Sequence, residues 1–309
     1  MRAMQLTATP QGLRLLAAEL PTPHPAPGEV LVRVCAAGVT PTELIWYPTT
    51  HTNEGAPRKG AVPGHEFSGV VAAVGAAVND VRVGDAVYGM NDWFAQGATA
   101  EFCVTAPASL AHKPARLTHS EAAAAPIGAL TAWQGLVQRA QVQPGDRVLV
   151  HGGAGAVGAF AVQIARMRGA HVLATVAEKD LDFVRSLGAA EAIDYKATRF
   201  EDAVGAVDVV FDTVGGETLK RSWAVLRPDG RLATIAAEVE NTRDVRAKEA
   251  FFIVTPDRGQ LEEIARLIDA GQLRVFVKAE VPLAKAGTAY EGKLQANGKP
   301  GKVVVNIAG

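Results

Sequence analysis

The segment PGHEFSGVV, residues 63–71, places His65 beside Glu66 among glycines, just before an apolar strand-like run. Imidazole nitrogens and carboxylate oxygens are both zinc ligands, and a catalytic zinc takes three protein ligands and leaves one position open. The pair therefore belongs either to a metal centre or to the packing of the chain. Further ligands elsewhere in the sequence would decide for the metal.

A glycine-rich motif, GAGAVG at residues 153–158, matches the G-x-G-x-x-G pattern of dinucleotide-binding loops. It follows the strand-like run RVLVH and opens a helix-like run, which is the context that the pattern requires. Gly153 is expected to permit the tight turn, Gly155 to let the backbone approach a pyrophosphate, and Gly158 to let the helix pack on the strand. Amides at the helix N-terminus attract phosphate. We therefore predict a bound dinucleotide, with contacts from Gly152, Gly153, Ala154, Gly155, Ala156 and Val157.

The identity of the dinucleotide depends on the end of the next strand, where an NAD site usually carries an acid about 20 residues after the motif. That strand ends at Ala177 without an acid, and Glu178 and Lys179 follow it. A carboxylate would repel the 2′-phosphate of NADPH, whereas a lysine would attract it. The sequence favours NADPH, with Lys179 as the phosphate contact, while Glu178 leaves NADH open.

The first third of the chain contains the elements that would carry the His65-Glu66 pair. Short β-prone runs, separated by Gly, Pro and Asp, lie at 29–39, 67–75, 85–90 and 99–106. A long polar segment at 47–64 predicts a surface loop of the kind that borders binding sites. This region is therefore expected to be a mostly antiparallel β domain.

Beyond residue 118 the pattern changes to alternating strands and helices. Thr118, followed by Glu121 three residues later, is a capping-box pattern that starts the first helical run. Apolar strands between helical runs predict a parallel, doubly wound sheet. An amphipathic helix ending at Gly271 and a short strand, GKVVVNIA, come last, and that strand could rejoin the N-terminal sheet.

Composition excludes several classes of partner. The chain has 309 residues, a net charge of -1 and 48% hydrophobic residues, which is typical of a soluble protein with two domains. No basic excess indicates nucleic acid, and no run approaches the ~20 apolar residues of a membrane span. The N-terminal residues show no signal-peptide pattern, and two cysteines, Cys35 and Cys103, suit a reducing compartment. We predict a cytoplasmic protein without nucleic-acid or membrane partners.

Several motifs follow one another along the chain: AAGVTPTEL, PGHEFSGVV, VGDAVYGM, LTAWQGL, VLVHGGAGAVG, VVFDTVGG and GKVVV. In this order they resemble the medium-chain dehydrogenase/reductase superfamily, and more narrowly its zinc-free quinone oxidoreductase branch, to which zeta-crystallin belongs. The resemblance implies an α/β fold, with a Rossmann doubly wound parallel sheet at 123–257. A mostly antiparallel, GroES-like catalytic domain would comprise 1–122 and 258–309. The resemblance also implies a homodimer, and an active site in the cleft between the two domains.

The same resemblance answers the question about zinc. Zinc-dependent relatives bind catalytic metal through an early Cys, the His of the GHE segment and a later Cys or acid. Here the early position is Thr40, and the later one falls at Ile127 and Gly128, which supply no ligand. The cysteines of a structural zinc lobe are also missing from GMNDWFAQGATAEF. We therefore predict no zinc, with the polar atoms of His65 and Glu66 tied to neighbouring backbone.

Without a metal to polarise an alcohol, the acceptor must delocalise the incoming charge itself. The resemblance implies NADPH-dependent hydride transfer to a quinone or to an activated, α,β-unsaturated carbonyl compound, with the protein orienting the reactants and excluding water. No residue earns a catalytic role from the sequence. By position, the resemblance places cofactor contacts at Thr40, Thr131, Lys179, Tyr195, Val214, Ala236, Phe252 and Val254.

An aromatic-accepting substrate pocket is predicted from Trp46, Tyr47 and Trp93. Two alternatives stay open. One is an NAD(P)-dependent alcohol or carbonyl dehydrogenase. The other is a non-catalytic NADPH-binding redox sensor, because Thr40 stands where the family carries an Asn, and Ile45 where many members carry a Tyr.

Overall fold

The computed structural model of the chain describes residues 1–10, 12–294 and 299–307. The chain forms two compact units, Met1–Ile127 with Thr255–Gly309, and Gly128–Val254. The strands are β1 (Arg2–Thr9), β2 (Gly12–Glu19), β3 (Val30–Gly38), β4 (Glu66–Val74), β5 (Ala86–Met90), β6 (Phe102–Thr105), β7 (Leu110–His112), β8 (Arg147–His151), β9 (His171–Val176), β10 (Glu191–Asp194), β11 (Val207–Asp212), β12 (Leu226–Thr234), β13 (Val277–Pro282) and β14 (Lys302–Asn306).

The helices are short, and several are single turns. The α-helices are α1 (Tyr47–Thr50), α2 (His119–Ala123), α3 (Pro126–Trp133), α4 (Gly158–Met167), α5 (Leu181–Leu187), α6 (Phe200–Val204), α7 (Gly216–Ser222), α8 (Val245–Ala250), α9 (Arg258–Asp269) and α10 (Ala286–Tyr290). A π-helix covers Gln134–Arg139, and 3-10 turns cover Pro41–Ile45, Pro107–Ser109, Glu178–Asp180, Ala237–Asn241 and Leu283–Lys285. Among the described residues, no helix is both long enough and apolar enough to cross a membrane.

The first unit is built on a mixed sheet in the order β13-β14-β3-β4-β5-β7, with β6 also paired to β3. All of these pairs are antiparallel except β13 with β14. The predicted antiparallel, GroES-like sheet is confirmed, and the terminal strand β14 does rejoin it. Its main hydrophobic core includes the buried side chains of Val32, Phe67, Val87, Leu110 and Val305.

The second unit is a parallel sheet in the order β10-β9-β8-β11-β12. Its strands are apolar because helices cover both faces, as parallel sheets require; Leu149 and Val210, on the central strands, have no exposed surface. The predicted Rossmann sheet is confirmed. Along the chain, β9 and β10 are added on one side of β8, and β11 is then added on its other side. The carboxyl ends of β8 and β11 therefore form the switch point where such sheets bind ligands.

The predictions made from local sequence signals were confirmed only in part. Thr118 caps α2 in a capping box with Glu121, as predicted. The single helical run expected after it is broken, because Pro126 begins a separate helix. Helix α7 ends at Ser222, and the following strand β12 begins at Leu226 and contains Pro228.

Candidate functional site

The glycine-rich loop lies directly after β8, at the switch point of the parallel sheet. The residue with the left-handed backbone is Gly152, at φ 73°, one position before the Gly153 that we expected to make the turn. A Cβ at Gly153 would lie 3.0 Å from the Cβ of Ala174, so this glycine serves close packing on the neighbouring strand β9. A Cβ at Gly158 would collide with the carbonyl oxygen of Gly152, so helix α4 can start only with a glycine there.

Gly155 lies at the outer side of this loop. A Cβ on it would meet a single atom within 4 Å, the Gly152 carbonyl oxygen at 3.2 Å, so the surroundings are otherwise open. The Gly155 amide donates to that same oxygen, 2.9 Å away, and closes the turn. Two of the first amides of α4 already have acceptors: the Ala159 amide donates to the Gly155 carbonyl at 3.0 Å, and the Phe160 amide to the Val157 carbonyl at 3.1 Å. The loop therefore offers an open approach at Gly155, at the N-terminal end of α4, where the helix dipole favours a pyrophosphate.

A second feature of this unit is a surface cavity at the carboxyl ends of β9 and β10. Its volume is about 390 Å³, and it is lined by Ala177, Glu178, Lys179, Asp194, Lys196 and Ala197. Lys179 belongs to the 3-10 turn after β9. Tyr195 follows β10 and is exposed, with the Lys196 ammonium 5.9 Å from its ring centre. The cavity therefore brings Lys179 together with a second lysine that sequence reasoning did not identify.

The turn after β11 packs beside the glycine-rich loop. Asp212, fully buried, accepts hydrogen bonds from the amides of Val214 and Gly215, each 3.1 Å long, and from the Thr234 hydroxyl at 2.7 Å. Burial raises the pKa of the Asp212 carboxyl. Val214 is exposed, and a Cβ on Gly152 would touch its side chain at 3.2 Å. The structure thus places exposed Val214 next to the loop.

The remaining predicted contacts of this unit are less accessible. Ala236 follows β12 and packs close to Gly215. Thr131 lies in α3, and Phe252 and Val254 lie in the segment after α8. The side chains of these four predicted contacts are all buried: Thr131, Ala236, Phe252 and Val254.

His151 ends β8 and lies fully buried behind the loop. Its two ring nitrogens are hydrogen-bonded to the hydroxyls of Thr175 and Ser222, each at 3.0 Å. Burial and, to a lesser extent, the nearby Arg221 guanidinium lower the pKa of His151 to about 4, while Glu201 opposes the shift. The imidazole is therefore neutral at physiological pH, and its two hydrogen bonds fix its orientation at the end of β8.

This buried histidine predicts a pH dependence of stability. From pH 6.5 to pH 4 the unfolded chain binds a proton at His151 that the folded protein does not, so stability is lost as the pH falls. The free energy of unfolding should drop by about 3 kcal/mol over this window, on top of other titrations. Denaturant unfolding of wild type and His151→Gln across the window measures it. The variant should show a shallower slope, and an exposed control, His24→Gln, should keep the wild-type slope.

In the first unit, His65 and Glu43 form a buried pair. Glu43 Oε2 is 2.7 Å from His65 Nδ1, and Glu43 Oε1 accepts the Gly64 amide at 3.0 Å. His65 is 2% exposed and Glu43 0%. Our expectation that neighbouring backbone holds His65 was wrong: a carboxylate brought in by the 3-10 turn Pro41–Ile45 holds it. His65 Nε2 is buried and has no hydrogen-bond partner among the described residues.

Glu66 has its own partners. Its Oε2 accepts the Ile127 amide at 3.0 Å, and its Oε1 is paired with the Lys302 ammonium. Lys302 Nζ also donates to the Thr40 hydroxyl at 3.1 Å. Burial raises the pKa of Glu66, and Lys302 opposes that rise. Backbone holds one oxygen of Glu66, as expected, and a lysine from the terminal strand holds the other.

The predicted aromatic residues of this unit form two groups. Trp46 and Trp93 meet edge to face with ring centres 4.6 Å apart, and Trp93 also lies 5.0 Å from the His65 ring. Tyr47 is exposed and stacks on His51 at 4.4 Å. Trp46 and Trp93 are therefore brought together beside His65, while Tyr47 belongs to the surface of the loop.

Comparisons with known proteins agree with this architecture. The alcohol dehydrogenase GroES-like domain matches residues 26–133, and a family described as zinc-binding dehydrogenase matches residues 187–305. The chain is 31% identical to the human NAD(P)H oxidoreductase RTN4IP1, mitochondrial, over 91% of this chain and 82% of that protein. It is 33% identical to the Arabidopsis thaliana NADPH-dependent alkenal/one oxidoreductase, chloroplastic, over 90% of this chain and 72% of that protein.

A solved structure gives the same result in three dimensions. The quinone oxidoreductase from Coxiella burnetii superposes with a TM-score of 0.85, at 30% identity and over 99% of both chains. The chain belongs to the medium-chain dehydrogenase/reductase superfamily, in its quinone oxidoreductase branch. The resemblance inferred from the motifs is thereby confirmed.

The family that matches residues 187–305 is described as zinc-binding dehydrogenase, which raises the question whether the described side chains could hold a zinc ion. Among residues 1–10, 12–294 and 299–307, no group of three His, Cys, Asp or Glu side chains lies close enough together to hold a metal ion. At the positions of the metal ligands in zinc relatives, Thr40 binds the Lys302 ammonium and His65 binds Glu43. The described side chains do not fit a zinc centre, and no step below depends on one.

Proposed function

We propose that this protein is an NADPH-dependent, zinc-independent oxidoreductase that transfers hydride to a quinone or an α,β-unsaturated carbonyl compound. The observation that carries the proposal is the pairing, on one parallel sheet, of an open glycine-rich loop at β8 with a lysine-lined cavity at the ends of β9 and β10. A dinucleotide with its pyrophosphate on that loop places its adenosine ribose near the end of the next strand. Family membership supports the reaction class.

The charges at the cavity support NADPH over NADH. Lys179 and Lys196 supply two ammonium groups, and Glu178 and Asp194 supply two carboxylates. Asp194 already accepts the Lys196 amide, at 3.0 Å, as the cap of a turn. A 2′-phosphate brings about -1.5 to -2 charges, so both lysines attract it, and the carboxylates of Glu178 and Asp194 oppose this attraction. Tyr195, which is exposed and lies between the lining residues Asp194 and Lys196 in the chain, is the third proposed contact.

Bound NADPH would supply the hydride, and the chain's own residues would hold it in place. The loop from Gly152 to Val157 binds the pyrophosphate, with Val214 beside it. In this proposal the remainder of the cofactor is surrounded by four further residues: Thr131, Ala236, Phe252 and Val254. The acceptor is received by the aromatic residues Trp46, Tyr47 and Trp93. Orientation and exclusion of water are the protein's main contribution, because a quinone or enone disperses the arriving charge itself.

Two further attributes remain predictions. A homodimer is expected from the family resemblance. A cytoplasmic location is expected from composition, although the human and Arabidopsis relatives carry the words mitochondrial and chloroplastic in their names.

The proposal is tested by following NADPH and NADH oxidation with the purified protein, against small quinones and α,β-unsaturated ketones, with and without EDTA. We expect turnover that prefers NADPH and that EDTA leaves unchanged. Loss of turnover with EDTA, restored by zinc, would establish a metal-dependent dehydrogenase instead. Tight NADPH binding with no turnover on any acceptor would establish the non-catalytic sensor.

A further inference from the structure

The Thr40 hydroxyl is held by a buried cation. Lys302 Nζ donates to Thr40 Oγ1 at 3.1 Å, from a strand 262 positions further along the chain. Lys302 is only 6% exposed, and its ammonium is paired with Glu66, which is 0% exposed. The Ile127 amide in turn anchors Glu66, at 3.0 Å. The ammonium therefore has a fixed position on one side of the hydroxyl.

This contact determines the direction of the hydroxyl. An ammonium group has donors and no acceptor, so Thr40 Oγ1 must be the acceptor in this bond and its own proton must point elsewhere. Thr40 precedes the 3-10 turn Pro41–Ile45, but its side chain makes no capping bond there. Among the described residues, the bond with Lys302 is the only hydrogen bond of this hydroxyl. Thr40 is partly exposed, so the proton is available to a ligand.

We propose that Thr40 donates a hydrogen bond to the carbonyl oxygen of the quinone or enone as that oxygen becomes negative, and that Lys302 is the positioning residue that fixes and polarises this donor. The proposal rests on the proposed function. Hydride adds to the electron-poor carbon of the acceptor, the conjugated electron pair moves onto oxygen, and water supplies the proton that completes the product. The Thr40 O–H bond stays intact throughout.

The electrostatics favour a developing oxyanion over a neutral partner. A hydroxyl that accepts from an ammonium is a stronger donor, and hydrogen bonds to charged oxygen are about twice as strong as neutral ones. The resemblance placed a cofactor contact at Thr40, but the ribose hydroxyls of the cofactor are neutral in the ground state and in the transition state. Only the acceptor's oxygen gains charge during the reaction, so only there does the donor lower the barrier.

The matched pair Thr40→Val and Thr40→Ser tests the proposal, because Val keeps the shape of Thr and Ser keeps the hydroxyl. For Thr40→Val we expect kcat to fall roughly 100-fold, as for loss of one oxyanion donor, with the Kd for NADPH, measured by fluorescence without acceptor, unchanged. Thr40→Ser should recover most of kcat. A Thr40→Val protein with wild-type kcat overturns the proposal, and so does one that only weakens NADPH binding, which would assign Thr40 to the ribose.

A double-variant cycle tests the role of Lys302 separately. If Lys302 acts through Thr40, then Lys302→Met should lower kcat in the wild-type background but hardly at all in the Thr40→Val background. Equal effects in both backgrounds would overturn the positioning role. Should Lys302→Met fail to fold, Lys302→Met/Glu66→Gln, which removes both buried charges, replaces it in the same cycle. A wild-type protein that reduces neither quinones nor enones removes the proposed function and this inference together, whereas an active wild type with an equally active Thr40→Val removes only the inference.

Discussion

Replacing Lys302 with Met should lower the free energy of unfolding by about 3–5 kcal/mol, because it leaves the buried Glu66 carboxylate without its cation. Both side chains lie almost wholly inside the protein, and the remaining Glu66 contact is a single backbone amide. Denaturant unfolding at pH 7 measures the loss. The variant should be least stable at high pH and should recover as the pH falls, since burial raises the pKa of Glu66 and protonation removes the unpaired charge.

Two controls separate this effect from the loss of any lysine. Lys220→Met also removes an ion-paired lysine, but its pair with Glu217 is fully at the surface and should change stability little. The double variant Lys302→Met/Glu66→Gln removes both charges, so it should be more stable than Lys302→Met alone. A Lys302→Met protein as stable as wild type would contradict the buried pair.

Replacing Lys179 with Ala should reduce kcat/KM for NADPH by roughly 10- to 100-fold, the range of one charge-assisted contact of about 1.5–3 kcal/mol. The same change should leave kcat/KM for NADH nearly unchanged, because NADH has no 2′-phosphate for the lysine to meet. Lys179 lines the cavity at the end of β9, on the side of Glu178. The measurement is steady-state oxidation of both cofactors with one quinone.

The matched control for Lys179 is Lys220→Ala, an exposed lysine of α7 that does not line the cavity, and this change should alter neither cofactor's kinetics. Lys196→Ala should resemble Lys179→Ala in direction, since both ammonium groups line the cavity. Equal losses with NADPH and NADH in the Lys179 variant would contradict a phosphate contact and would indicate a general effect on the loop.

Local patterns carried the prediction of the parallel sheet and of its glycine-rich loop. A G-x-G-x-x-G motif between a strand and a helix is a short-range signal, so its place in the fold follows from a dozen neighbouring residues. The role of each glycine could not be predicted from the motif. Gly152 has the left-handed backbone, and Gly153 packs on Ala174 because of the position of the neighbouring strand β9. The hairpin β1–β2 was also missed, because β2 lies mostly on the surface and its apolar residues do not alternate.

The polar cluster of the first unit could not be predicted from the sequence, for a different reason. The sequence singled out His65, Glu66 and Thr40. Their partners Glu43 and Lys302 stand within the motifs AAGVTPTEL and GKVVV, but no local pattern gave either side chain a role. Lys302 lies more than 230 positions from Glu66, and only the register of β14 on β3 brings it in. Lys196 was easier to predict as a cofactor contact, because it directly follows Tyr195 after the end of β10. Contacts of this kind depend on tertiary pairing and not on local spacing.

The central claim is hydride transfer from NADPH to an activated acceptor without metal. It is tested most directly with NADPH that carries deuterium at both C4 positions, an α,β-unsaturated ketone, and protein treated with chelator and shown by elemental analysis to be free of zinc. The account predicts one deuterium at the β-carbon of the saturated ketone, seen by NMR. Product without deuterium at that carbon, or deuterated product that forms only after zinc is added back, would contradict it.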